Sequence, residues 1–160
     1  MEKTLITLFI VCSVIIACEA CTSGWESFDG SCYKYFADRK KWSDAKTYCE
    51  SQGAHLAIVL SNEENAFLKA LLRRSHIGST DQVWMDGDDL KTENNFIWEN
   101  TGQGFEITDW GPNEPNQNGG NEDCLSFFGR YDFKWNDEHC DKPFGFLCEK
   151  EAVGTGGVIG

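Results

Sequence analysis

Eight cysteines occur in 160 residues, and their placement constrains the fold more than any other feature of the chain. Two of them, Cys12 and Cys18, fall in an N-terminal segment where Lys3 precedes an apolar run from Leu5 to Ala17. That pattern predicts a secretory leader over residues 1–20. A membrane anchor is the weaker reading, because the run is shorter than the roughly 20 apolar residues a spanning helix needs. Small residues at Cys18 and Ala20 favour cleavage after Ala20, with Ala17 as the competing position. Cys21, Cys32, Cys49, Cys124, Cys140 and Cys148 remain, an even set that suits an oxidising, extracellular compartment. Six cysteines allow about fifteen pairings, and the sequence alone does not choose among them. Zinc is the competing use, but no C-x2-C pair follows the leader, and His55, His76 and His139 are scattered.

Residues 21–160 have the length of one ordinary domain, and no linker or repeat divides them. Removing Glu2, Glu19 and Lys3 from 26 acids and 14 bases leaves 24 against 13, a net charge of −11. Such an acidic chain is a poor partner for nucleic acid. It has carboxylates to spare for a hard cation, although solubility alone would also account for them.

The pattern along the chain predicts an α+β fold. A β-like start, Trp25 to Tyr35, places its aromatics around the turn Asp29-Gly30. A first helix is expected over about 41–52, where Trp42, Ala45, Tyr48 and Cys49 recur at helical spacing and Gly53 follows. Ser61-Asn62-Glu63-Glu64 reads as a capping box opening a second helix, with Phe67, Leu68, Leu71 and Leu72 on its buried face. Short strands are expected at Val83 to Met85, Phe96 to Glu99, Cys124 to Phe128 and Phe144 to Cys148. Between them, Asp109 to Asp123 shows neither helical nor strand periodicity. Its length and its concentration of carboxylates and amides mark it as functional or disordered, and oxygen coordination of a cation is one specific use. Residues 151–160, ending in Gly154 to Gly160, read as a flexible tail.

Three motifs in order carry a family resemblance: Trp110-Gly111-Pro112-Asn113-Glu114-Pro115-Asn116, then Asn121-Glu122-Asp123-Cys124, then Trp135-Asn136-Asp137, followed by Cys140 and Cys148. With these spacings, residues 21–150 resemble a C-type lectin domain of the long form. Trp84-Met85-Asp86-Gly87 is similar to a family strand, W-I-G-L, except that Asp86 stands where an apolar residue is usual. The resemblance implies two helices with antiparallel sheets, a long calcium-binding loop and three disulfides. The implied pairs are Cys21 to Cys32, Cys49 to Cys148 and Cys124 to Cys140.

It also implies a calcium site formed by Glu114, Asn116, Glu122, Asn136 and Asp137. Calcium takes about six to eight oxygens from carboxylates, amide carbonyls and water, and these side chains are of that kind. Taken singly, each is more simply a turn residue or a solvated acid. Two sugar hydroxyls replacing water on the metal would each bond the side chains that hold it, donating to Glu114 or Glu122 and accepting from Asn116 or Asn136. In the family the E-P-N order accompanies mannose-type sugars (mannose, fucose, glucose, N-acetylglucosamine), whereas Q-P-D accompanies galactose. The Glu114-Pro115 bond is expected to be cis, as in calcium-bound relatives. A second calcium aligns with Asp89, Glu93 and Asp123, although Gln117 stands where an acid is common, and residues 88–93 could equally be an acidic surface turn.

The expected function is therefore a secreted, calcium-dependent lectin for glycans on cell or microbial surfaces, with no membrane insertion and any oligomer noncovalent. One alternative is a lectin-like domain that binds protein, lipid or ice without sugar. Another is a metal-dependent enzyme using Glu114 and Glu122 as an acid/base pair, but neither a G-x-S-x-G nor an H-E-x-x-H motif is present.

Overall fold

The computed structural model describes residues 21–153. The expected leader, and residues 154–160 of the expected tail, lie outside the described residues. Strand β1 (Glu26–Phe28) turns into β2 (Ser31–Lys40) through Asp29 and Gly30, whose φ angles are 43° and 83°. Two consecutive positive φ values are what a two-residue hairpin turn needs, and Asp-Gly supplies them at least strain. The strand runs five residues beyond the expected Tyr35 and pairs with the last strand, β9 (Phe144–Glu151), from Ser31↔Glu151 to Lys40↔Phe144. Ala152 N–H also donates to Gly30 C=O at 2.8 Å, so ordered pairing continues past position 150.

Helix α1 (Trp42–Ser51) buries Trp42, Ala45 and Cys49. Helix α2 (Asn62–Arg74) opens at Ser61, whose Oγ accepts Glu64 N–H at 3.1 Å. The reciprocal half of the expected capping box is displaced by one residue: Glu64 Oε2 accepts Leu60 N–H at 2.7 Å. The other oxygen of Glu64 accepts from the Tyr33 hydroxyl, which ties the helix start to β2. Leu68, Leu71 and Leu72 face the core as expected, and Phe67 is half-buried, stacked on Phe28 with ring centroids 4.7 Å apart.

The sheet combines β9 with β2, with β3 (His55–Leu56) and with β4 (Gln82–Asp88). Beyond β4 lie β5 (Ile97–Trp98), β6 (Gln103–Gly104) and β7 (Cys124–Phe128), and β8 (Lys134–Glu138) pairs with β7. Among the described residues the strands pair antiparallel except β4 with β9, so the sheet is mixed where only antiparallel sheets were expected. The chain between these two strands is long enough to return to the same end, which a parallel pair requires.

Because side chains alternate along a strand, Val83 and Met85 pack with α2, Leu125, Trp135 and Leu147, while Trp84 packs with α1, Leu56 and Phe146. The three disulfides are Cys21–Cys32, Cys49–Cys148 and Cys124–Cys140, the pairing that the family resemblance implies. Cys49–Cys148 spans 99 residues and ties α1 to β9, a crosslink worth about 4–5 kcal/mol in the chain-entropy model.

Asp86, the polar departure inside β4, is fully buried. Its Oδ2 accepts Asn100 N–H at 2.8 Å and so fixes the turn after β5, while Oδ1 has no hydrogen-bond partner among the described residues. Burial pushes this carboxyl up to about 7, against the pull of the Asn100 amide.

Candidate functional site

The segment from Asp109 to Asp123 is anchored at its start by backbone bonds to β8: Trp135 N–H donates to Asp109 C=O at 2.8 Å, and Gly111 N–H to Trp135 C=O at 2.7 Å. Asp109 accepts from Lys69 at 2.7 Å, from Asn65 at 2.8 Å and from Lys134 at 3.1 Å. Burial raises its pKa, but these donors outweigh burial and hold it below the usual carboxylate range. Asn65 also accepts Trp135 Nε1–H at 3.0 Å, so one α2 side chain serves both the loop and the strand beneath it. Phe96, Phe105, Trp110 and Trp135 pack edge to face under the loop. A Cβ at Gly111 would stand 2.5 Å from the Tyr131 ring, so only glycine lets the loop pass there.

From this base the loop folds over β8. Asp137, fully buried, accepts Asn116 N–H with Oδ1 at 3.1 Å and Oδ2 at 3.0 Å, and Gln117 N–H with Oδ2 at 2.9 Å. The Glu114-Pro115 bond is cis, and Asn116 Nδ2–H donates to Glu114 Oε2. Burial, and next the Asp137 carboxylate beside it, push Glu114 up to about 7. Glu122, mostly buried, accepts Asn118 N–H at 2.7 Å. Its pKa is raised, first by burial and then by Glu138 and Asp137, against the pull of the Asn118 amide. The structure thus brings Glu114, Asn116, Glu122 and Asp137 together. Asn136 lies next to them on β8, but its Nδ2–H is turned inward, to Gln82 Oε1 at 3.2 Å and to Asp137 C=O.

The second expected group also converges. Asp89 N–H donates to Asp123 C=O at 3.1 Å, and Asp89 Oδ2 accepts Asn94 N–H at 2.8 Å. Burial raises Asp89 to about 6, the Asn94 amide opposes it, and Glu93 and Asp123 add to the rise.

A cluster of carboxylates with side-chain amides, half withdrawn from water and pushed toward protonation by one another, is a donor set suited to a hard divalent cation. Residues 38–150 match the family model described as the Lectin C-type domain. The chain belongs to the carbohydrate-binding C-type lectin family. That family is non-enzymatic, and the Glu114 and Glu122 acid/base reading has no support in it.

This lectin domain is 38% identical over 133 residues to a lectin of Pleurodeles waltl, a match covering 82% of this chain and 76% of that protein. It is 36% identical over 134 residues to the versican core protein of Rattus norvegicus, covering 83% of this chain but 5% of that much longer protein. Among solved structures it resembles the cow C-type carbohydrate-recognition domain of CD23, solved in the presence of GlcNAc2Man3 oligosaccharide. The TM-score is 0.75 at 31% identity, covering 85% of this chain and 99% of the CD23 domain.

Two glutamines of the lectin domain have roles that the sequence does not indicate: Gln82, which no motif marks, and Gln117, expected only as a missing acid. Gln82, at the start of β4, holds Ser126 Oγ–H at 2.5 Å and Asn136 Nδ2–H at 3.2 Å through Oε1, and donates to Glu138 Oε2 at 2.9 Å. Gln117, read as a lost acid, links the two carboxylate groups: Nε2–H donates to Asp89 Oδ2 at 3.2 Å, and Oε1 accepts Glu122 N–H at 3.2 Å. An amide can do both, and an acid could not, because ionised it only accepts. Gln82 lies in no motif, and the position of Gln117 after Glu114-Pro115-Asn116 indicates neither hydrogen bond.

Proposed function

We propose that this chain is a secreted, calcium-dependent lectin of mannose-type specificity, with its domain over 21–150 after a leader at 1–20, and with the tail expected at 151–160 leaving the domain only after the pairing of Glu151 and Ala152. Glu114, Asn116, Glu122, Asn136 and Asp137 would hold the calcium. The observation that carries this reading is the way the buried Asp137 carboxylate gathers the Asn116 and Gln117 amides and lies against Glu114. Withdrawn carboxylates without counter-cations are costly, and a divalent ion offsets that cost.

Calcium, when bound, supplies direct coordination of two sugar hydroxyls. The protein supplies the rest. Glu114 and Glu122 accept from those hydroxyls, while Asn116 and Asn136 donate to them, so the order of acceptors and donors selects hydroxyl geometry. The Asn136 amide turns from Gln82 toward the ligand when it takes this part. The E-P-N order favours mannose, fucose, glucose or N-acetylglucosamine over galactose, and the CD23 neighbour, solved in the presence of a mannose-containing oligosaccharide, is consistent with that choice.

A second calcium at Asp89, Glu93 and Asp123 belongs to the same proposal. Asp89 Oδ1 is buried and has no hydrogen-bond partner among the described residues, and a cation would satisfy it. Glycans on cell or microbial surfaces are the partners this site suits. The six cysteines of the described residues are paired with one another, so an oligomer of the domain would be noncovalent.

A glycan array with and without chelator tests the reading. Binding concentrated on mannose-type glycans and abolished by chelator is expected. Chelator-insensitive binding, or a preference for galactose, would overturn the calcium mechanism or the specificity respectively.

A further inference from the structure

We propose a transition-metal site formed by Glu122, Glu138 and His139, which takes Zn2+ and is coupled to the calcium site through Glu122. One carboxylate oxygen from each glutamate and one ring nitrogen of the histidine lie within 4.8 Å of one another. A zinc ion held by these three atoms, at bonds of about 2.0–2.2 Å, would keep a fourth position for water.

The histidine is prepared for this role. Its Nδ1 lies 2.9 Å from Asn121 C=O, which accepts only if Nδ1 carries the proton, and the lone pair is then left on Nε2. Metal-binding imidazoles are oriented in this way by a carbonyl or carboxylate on the other nitrogen. Glu138 is oriented in turn: Oε2 accepts from Gln82 at 2.9 Å and Oε1 from His139 N–H at 3.0 Å. The ring also borders an open groove of about 460 Å³ shared with Asn121, Asp123 and Asp141, so it is reachable from solvent.

An imidazole nitrogen with two carboxylates suits zinc, whereas calcium takes oxygen throughout. The site itself stands without the calcium reading; only the coupling rests on it. Glu122 serves both ions, so zinc raises the calcium concentration needed to fill the loop, and by linkage calcium weakens zinc to the same degree.

Calorimetric titration of Zn2+ into the calcium-free full chain tests the site. One equivalent is expected, weakened roughly 10- to 100-fold or more in both His139→Gln and Glu138→Gln, at least the loss that outer-shell changes produce at metal sites. No zinc binding by the wild type, or unchanged affinity in both variants, overturns the proposal. Calcium titration with and without zinc then tests the coupling. A several-fold weaker calcium affinity in zinc, seen in the wild type and absent in His139→Gln, supports it, and equal affinities contradict it. A wild type that binds zinc but never calcium overturns the calcium reading and leaves the zinc site standing.

Discussion

Asp137 on β8 holds the backbone amide of Asn116, 21 residues earlier in the chain, with both oxygens of one fully buried carboxylate. A side chain in the sheet thereby shapes the loop that carries the Glu114-Pro115-Asn116 motif, even before any ion is considered. Asp137→Asn replaces one accepting oxygen with an NH2 group, which faces the Asn116 N–H in place of Oδ1, or the Asn116 and Gln117 N–H groups in place of Oδ2. The calcium-free protein is expected to lose about 1–3 kcal/mol, the cost of unsatisfied buried groups. Amide hydrogen exchange should show Asn116 and Gln117 losing protection while β4 and β9 keep theirs. Unchanged exchange at both amides would mean that the loop is held by other contacts.

Gln117 is the only bridge of its kind seen between Asp89 and Glu122 among the described residues. Removing it with Gln117→Ala breaks two hydrogen bonds of roughly 1 kcal/mol each without removing a carboxylate. Calcium affinity is expected to fall by up to about thirtyfold, since the roughly 2 kcal/mol lost is about 1.4 decades at 1.4 kcal/mol per decade. Calorimetry showing wild-type affinity would make the bridge incidental.

The stability of the domain should respond to Asp86. Its folded pKa is raised from 3.8 to about 7, so the folded state binds the proton more tightly than the unfolded chain does. Its favourable contribution is therefore present below about pH 4 and is lost as pH rises toward 7, after which the curve is flat. The span is on the order of 2–4 kcal/mol. Asp86→Asn keeps an acceptor for Asn100 N–H and removes the charge. Its Tm at pH 8 should exceed that of the wild type, with the difference shrinking toward pH 4, as followed by circular dichroism. A constant difference would assign the effect to packing.

These contrasts show where the sequence was informative. Asp29-Gly30 and Ser61 announced a turn and a helix start because local geometry alone demands those residue types. The two-residue strands at His55–Leu56 and Gln103–Gly104 are too short to leave a period, and their pairing is decided by distant chain. Strand β4 extends three residues beyond the expected Met85 because Asp86 and Asp88, buried polar residues, conceal its apolar pattern. At the candidate site, Glu114, Asn116, Glu122 and Asp137, which the family resemblance implies as ligands, come together in the structure. Gln82, Gln117 and the inward turn of Asn136 depend on tertiary contacts that no local pattern carries.

Exchanging the donor order tests specificity apart from metal binding. Glu114→Gln combined with Asn116→Asp retains the number of carboxylates but reverses which position accepts and which donates. Preference is expected to move from mannose toward galactose by a factor of about ten or more, given that one good hydrogen bond is worth roughly 1 kcal/mol or more. Competition binding with the two free sugars reads this directly, and an unchanged ratio would place selectivity outside the loop.

The most direct measurement is calorimetric titration of methyl mannoside into the full chain, first in excess calcium and then in excess chelator. Saturable binding in calcium at one site per chain, with no heat of binding in chelator and none for methyl galactoside, is the predicted result. Equal mannoside binding in both conditions would contradict the account.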